Sequence, residues 1–365
     1  MIARFFFPAI VSILLVGVSL RIPPTHPLMI INWGMMVLVG SLSYIGKPSY
    51  FKTIFLLLFG GYFVLHNSFT DDTVISSLMY FTGAFLMINL DNDKFITSRV
   101  FFAIVIYALI NLIWNFEELV MAIRSMNIEK GFLGFTQNTN TNSTIGILFF
   151  ISSWYLIRLS KNKIYLILLF FSIFYVLACF SRNSILYVLI VVSLIFLRQI
   201  VRKNYDLYAV AFTLLILVAC SVYMTIGFIN SDMDLFGKGA SSSSRTFMIL
   251  YAVENFDITY WGSGRSFVGS IISDEFEVGL HNGYLNTLYS YGMMYLLFYC
   301  TFLIFFYRNL NYVQSKAFLL GVHVYYFFEP TIFFESGLTS LVLLMTIMTG
   351  DRLLSQQKIK SYFTS

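Results

Sequence analysis

Apolar runs of 14 to 24 residues, divided by short polar interruptions, make up most of the chain. Twelve are long enough to read as membrane-crossing helices, given that a span takes roughly 20 apolar residues and somewhat fewer with flanking anchors. They cover 5–21, 28–45, 52–67, 73–90, 99–116, 142–158, 164–180, 183–198, 206–229, 284–306, 317–330 and 332–350. The eleventh ends at Pro330 and could form a re-entrant pair with the twelfth. Two polar intervals are long, 117–141 and 230–283. Loops of that size inside a compact protein usually have a task.

Composition agrees with this pattern. The 365 residues are 58% hydrophobic and 11% charged, against about 25% charged in an average soluble domain. The expected fold is all-α: one polytopic transmembrane domain spanning 1–365. The three cysteines, Cys179, Cys220 and Cys300, lie inside apolar runs and read as packing residues, without disulfide or metal spacing. Arg4 followed by an apolar run resembles a signal peptide, but no small-residue cleavage site precedes Arg21, so the run reads as a retained helix.

Charge sets the orientation. With the N-terminus in the cytoplasm, sixteen of the 23 Lys and Arg residues fall on the cytoplasmic side. Seven lie outside: Arg21, Arg124, Lys130, Arg182, Lys238, Arg245 and Arg265. The bias places both termini inside and both long loops outside. The net charge of +5 is therefore a topology signal and gives no reason to expect a nucleic-acid partner.

Candidate chemistry collects in the outer polar stretches. The segment GFLGFTQNTNTNSTIG, 131–146, reads either as a solvated loop with a helix cap at Ser143 or Thr144 or as a sugar or phosphate contact. Arg182, within CFSRNS, has almost no loop to hold it in water. It either snorkels to the interface or marks a site. SSSSRTFMILYAVENF, 241–256, reads as a Ser-capped amphipathic helix, with Phe247, Leu250, Tyr251 and Glu254 following Arg245 at helical spacing. Gly262-x-Gly264-Arg265 is an ordinary turn or a phosphate cradle. His281 opens the tenth apolar run, and His323 sits within the eleventh, where an ionisable group stands out. Glu329 and Glu335 flank Pro330 and read either as partners for arginine or as interfacial residues. Asp91-Asn92-Asp93 imitates a metal motif of nucleotide-sugar transferases, but reads as a polar cytoplasmic turn.

Taken together, Ser181-Arg182, Ser244-Arg245, Gly262-x-Gly264-Arg265, His281-Asn282-x-Tyr284-Leu285 and Phe333-Phe334-Glu335-Ser336 resemble the O-antigen polymerase and O-antigen ligase superfamily, polymerase type. The likeness covers the topology of the whole chain, and its specific motifs sit mostly in 181–292. It implies an inverting, metal-independent glycosyltransferase without a cofactor, acting at the periplasmic face of the bacterial inner membrane. The donor would be an undecaprenyl-pyrophosphate-linked oligosaccharide, with membrane lipid and a chain-length regulator as further partners. The resemblance implies His281, Arg245, Arg182 and Arg265 as catalytic residues. Asn282, Tyr284, Gly262, Gly264 and Glu335 would be substrate contacts. A ligase transferring the chain to lipid A core is the alternative, and a lipid-linked sugar flippase a more distant one.

Overall fold

The computed structural model describes residues 3–23, 25–43, 50–69, 97–125, 131–160, 162–229, 251–276, 280, 282–328 and 338–363, with short pieces at 74–75, 78–79, 81–83 and 248–249. The regular secondary structure of these residues is helical throughout. In order, the helices are α1 (Ala3–Ser19), α2 (Pro27–Ser43), α3 (Tyr50–Phe69), α4 (Arg99–Trp114), α5 (Phe116–Ser125), α6 (Thr139–Ser160), α7 (Tyr165–Ala178), α8 (Arg182–Ile200), α9 (Tyr205–Ile229), α10 (Arg265–Phe276), α11 (Gly283–Asn309), α12 (Val313–Phe327) and α13 (Leu338–Phe363). A 3-10 turn, Gly134–Thr136, precedes α6.

Four helices among the described residues are long and apolar enough to cross a membrane, and a fifth is formed if α4 and α5 count as one bent span. This is consistent with a membrane protein. Helices stand at eleven of the twelve expected positions; most of 73–90 lies outside the described residues.

The main core is built on α6. Ile145 through Ile151 are buried without interruption, so α6 has protein on every side and carries no lipid-facing stripe. It packs against α4, α7, α8 and α13. By contrast, α9 leaves Leu207, Val210, Leu214, Leu215 and Val218 exposed, as a helix at the edge of the bundle does. A separate small core joins Met248, Ala252 and Phe256 to Val268 and Ile272 of α10 and Tyr289 of α11. The packing face of 248–256 is thus Met248, Ala252 and Phe256. Of the expected face, Tyr251 is half-buried against this core and Glu254 is exposed; Phe247 and Leu250 lie outside the described residues.

Two expectations for the first outer loop change. The interval 117–141 carries a helix, α5. The start of α6 is at Thr139, and Asn138 caps it by accepting from the amides of Asn140 (2.9 Å) and Thr141 (3.1 Å). Ser143 and Thr144 are therefore interior helix residues and fully buried. Their hydroxyls have partners inside the protein, so a polar run that looks solvated by composition folds inward.

Candidate functional site

The C-terminal ends of α4 and α7 and the N-terminal ends of α6 and α8 meet around side-chain amides. Asn111 donates to Asn142 Oδ1 (2.8 Å) and to the Tyr175 hydroxyl (2.6 Å), and Tyr175 donates to Asn142 Oδ1 (2.6 Å). Asn111 Oδ1 accepts from the Phe135 amide (3.0 Å), and Asn142 donates to the Phe132 carbonyl (3.0 Å). Glu118 accepts from the amides of Leu133 (2.6 Å) and Gly134 (3.3 Å). Buried amides cost roughly 1–3 kcal/mol each when left unpaired, so a closed network of this kind fixes the loop 131–138 in one conformation.

The network continues into the Ser181-Arg182 junction. Phe180 has a left-handed backbone (φ 49°), and Ser181 turns extended, which starts α8 abruptly. Ser184 donates to Ser143 (2.6 Å), Ser181 donates to Asn140 (3.3 Å) and Asn183 donates to the Phe328 carbonyl (3.3 Å). Thr144 and Tyr325 share a hydrogen bond of 2.7 Å. Arg182 is the first residue of α8, half-buried, and without an ion pair among the described residues. A cation at the positive end of a helix is unfavourable by about 0.3–1 kcal/mol at an exposed site, and the same placement favours an anion.

The apolar pattern of 284–306 marks no break in α11. Gly292 has φ 79° and ψ 177° and interrupts the helix. An unbroken helix would pair Met293 N–H with Tyr289 C=O and Met294 N–H with Ser290 C=O. Instead these four groups bond to the segment 259–264. Met293 donates to Thr259 C=O (3.0 Å) and Met294 to Tyr260 C=O (3.3 Å). Ser263 donates to Tyr289 C=O and Gly264 to Ser290 C=O, each at 2.9 Å. Tyr62 adds a hydroxyl to the Tyr291 carbonyl (2.8 Å). The two chains touch at Gly262 (φ 84°) and Gly292, where a Cβ on either would lie 2.4–2.6 Å from backbone atoms of the other.

Of the two readings of Gly262-x-Gly264, the geometry is that of the ordinary turn. The Gly262 amide donates to Thr259 Oγ1 (2.8 Å), and those of Ser263 and Gly264 go to α11. All three are engaged within the protein. The turn's product is the position of Arg265, the half-buried first residue of α10, held beside Ser290.

Asn282 and Tyr284 also have internal roles. Asn282 is buried and caps α11, accepting from Leu285 N–H (3.0 Å). The Tyr284 hydroxyl lies 2.9 Å from His323 Nδ1 and donates to the His323 carbonyl (3.1 Å). The intramembrane histidine flagged in the sequence is thus tied to α11. His66, in the last turn of α3, is buried in a ring cluster with Tyr62, Trp261 and Tyr291.

The C-terminal end of α12 is shared: the first turn of α8 reaches Phe328, and the first turn of α11 reaches His323. Arg182 and the Asn282–Tyr284 turn therefore flank one helix end. Arg265 is fastened eight residues farther along α11 than Asn282, about 12 Å at the helical rise. His281, Arg245 and Glu335 lie outside the described residues. The Asn111–Asn142–Tyr175 network was not anticipated. Its signal is Asn111 at the end of an otherwise apolar run, four residues before Asn115. No protein-family model matches this chain, and no curated protein sequence matches it.

Proposed function

We propose that the chain is a polytopic glycosyltransferase that polymerises lipid-pyrophosphate-linked oligosaccharides at the outer face of the bacterial inner membrane. The observation that carries this reading is the placement of Arg182 and Arg265. Each is the first residue of a helix and only half-buried, so a fixed cation reinforces the positive end of the dipole. The proposal keeps the full twelve-span topology, with both termini in the cytoplasm and 230–283 on the periplasmic side.

In the reaction, an acceptor sugar hydroxyl attacks the anomeric carbon of the donor glycan. The new C–O bond forms opposite the bond to the lipid pyrophosphate, which breaks and leaves with the electron pair. Inversion follows from that geometry. Arg182, Arg265 and Arg245 stabilise the departing pyrophosphate by charge-assisted hydrogen bonds. His281, adjacent to the α11 cap, takes the hydroxyl proton as general base. Glu335 completes the proposed substrate contacts. Arginines supply the leaving-group charge stabilisation, so purified enzyme is expected to keep transferring in excess chelator. Loss of activity restored by magnesium or manganese would refute that part.

A deletion strain tests the whole reading. Its surface polysaccharide is expected to carry one repeat unit in place of a ladder, and His281→Ala at normal protein level should reproduce that pattern. Bare lipid A core, with long chains persisting on the carrier lipid, would indicate the ligase instead. Accumulation of cytoplasm-facing lipid-linked units would indicate a flippase.

A further inference from the structure

The bend between α4 and α5 carries an inference independent of the catalytic proposal. Phe102, Ile106, Ile110 and Ile113 of α4 are exposed at spacings of four, four and three, a continuous apolar stripe along one face. The stripe reaches Trp114, which is 78% exposed. The chain then turns by 71° into α5. If α4 runs along the membrane normal, α5 lies about 19° from the membrane plane.

The ten residues of α5, FEELVMAIRS, divide into three edges. Leu119 and Ala122 are buried against the protein. Phe116 and Ile123 are exposed and, with Val120 between them, share one helical edge. Glu117 and Arg124 are exposed on the adjacent edge, with the exposed Met121 between them. Glu118 is turned to the loop, where it accepts from the amides of Leu133 and Gly134. Apolar surface on one side, charge beside it and a large aromatic at the bend are the features of a helix at a lipid–water boundary.

We propose that α5 lies in the plane of the phospholipid interface. Phe116, Val120 and Ile123 rest on acyl chains, Trp114 sits at the level of the headgroups, and Glu117 and Arg124 face the headgroup layer. The lipid is the occupant because the exposed edge continues the apolar stripe of α4 without a gap. Through Glu118, the helix also fixes the polar turn 131–138 at headgroup depth.

The test is depth-dependent quenching of Trp114 fluorescence in phosphatidylcholine bilayers. The bilayers contain phosphatidylcholine brominated near the glycerol end or at mid-chain. A variant with Trp33, Trp154 and Trp261 each replaced by Phe isolates Trp114. If that variant does not insert, the difference between wild type and Trp114→Phe gives the same signal. An interfacial helix sits about 5–10 Å into the headgroup and acyl boundary, so shallow bromines should quench about twofold more than mid-chain bromines. Aqueous acrylamide should quench weakly. Equal or stronger mid-chain quenching would overturn the proposal, because α5 would then continue the span. Strong acrylamide quenching without lipid quenching would make it a loop in water. Protection from every quencher would mean that protein covers the edge. Each of these outcomes leaves the polymerase reading untouched.

Discussion

At the residue scale, Gly292 and Gly262 are the positions where the backbone leaves no choice. Both have positive φ, and a Cβ on either would collide with the opposing main chain. The backbone conformation alone costs a non-glycine residue about 1–3 kcal/mol, with the clash additional. Gly292→Ala and Gly262→Ala are expected to lower the thermal unfolding midpoint of detergent-solubilised protein. Gly34→Ala, on an exposed helical position with nothing within 4 Å of the added carbon, should leave it unchanged or raise it. Equal effects at all three sites would refute the role given to the paired break. The arginines give a second prediction at this scale. Lysine keeps the charge of Arg182 or Arg265 and loses the planar fork that grips two oxygens at once. Arg182→Lys and Arg265→Lys should each reduce chain polymerisation at least ~10-fold with normal insertion, a loss of about 1.4 kcal/mol or more of transition-state binding. Near-wild-type ladders from both would leave Arg182 and Arg265 as interfacial anchors.

At the scale of elements, helix ends carry the polar organisation. Asn138 caps α6, Asn282 caps α11, and Asp351 performs a similar task from a distance. Its buried carboxylate accepts from the amides of Asn311 (3.0 and 3.1 Å) and Tyr312 (2.9 Å) where α11 turns into α12. Hydrogen bonds to a charged group contribute roughly 1.5–3 kcal/mol each. Asp351→Ala should therefore destabilise more than Asn138→Ala, for which a lost cap costs about 0.5–2 kcal/mol. Urea or thermal unfolding in detergent would measure the order, and the reverse order would show that the α11–α12 turn holds without the carboxylate. The break in α11 belongs to the same logic. Inside a bilayer the two lost helical hydrogen bonds would be left without water, and the segment 259–264 replaces both.

At the scale of the whole molecule, α6 is the buried axis, and α9 and the exposed face of α4 form an apolar perimeter. The arginine-bearing helix starts depend on which side of the membrane they occupy. With the sixteen-to-seven distribution of basic residues, a reporter fused after Ser244 should read outside and one fused after Asn309 inside. An inside signal after Ser244 would put the large loop in the cytoplasm and remove the basis for a site acting on flipped lipid-linked sugars.

The sequence by itself determined the helical class and the positions of most helices, because long apolar runs admit few other structures in a membrane. It also marked Arg182 and Arg265 as unusual, since a charge beside apolar runs is conspicuous without any coordinates. Tertiary structure alone decided what the small and polar residues do. Asn142, Ser143 and Thr144 look solvated in sequence, and their burial depends on Asn111, Tyr175, Ser184 and Tyr325 from distant helices. Gly262-x-Gly264 has the pattern of a phosphate loop, but the Ser263 and Gly264 amides are claimed by carbonyls that Gly292 has released, and the Gly262 amide by the Thr259 hydroxyl. Hydrophobic periodicity is a local quantity and can be read along the chain. Hydrogen-bond satisfaction is a pairwise quantity between remote segments, and only the folded arrangement supplies the second partner.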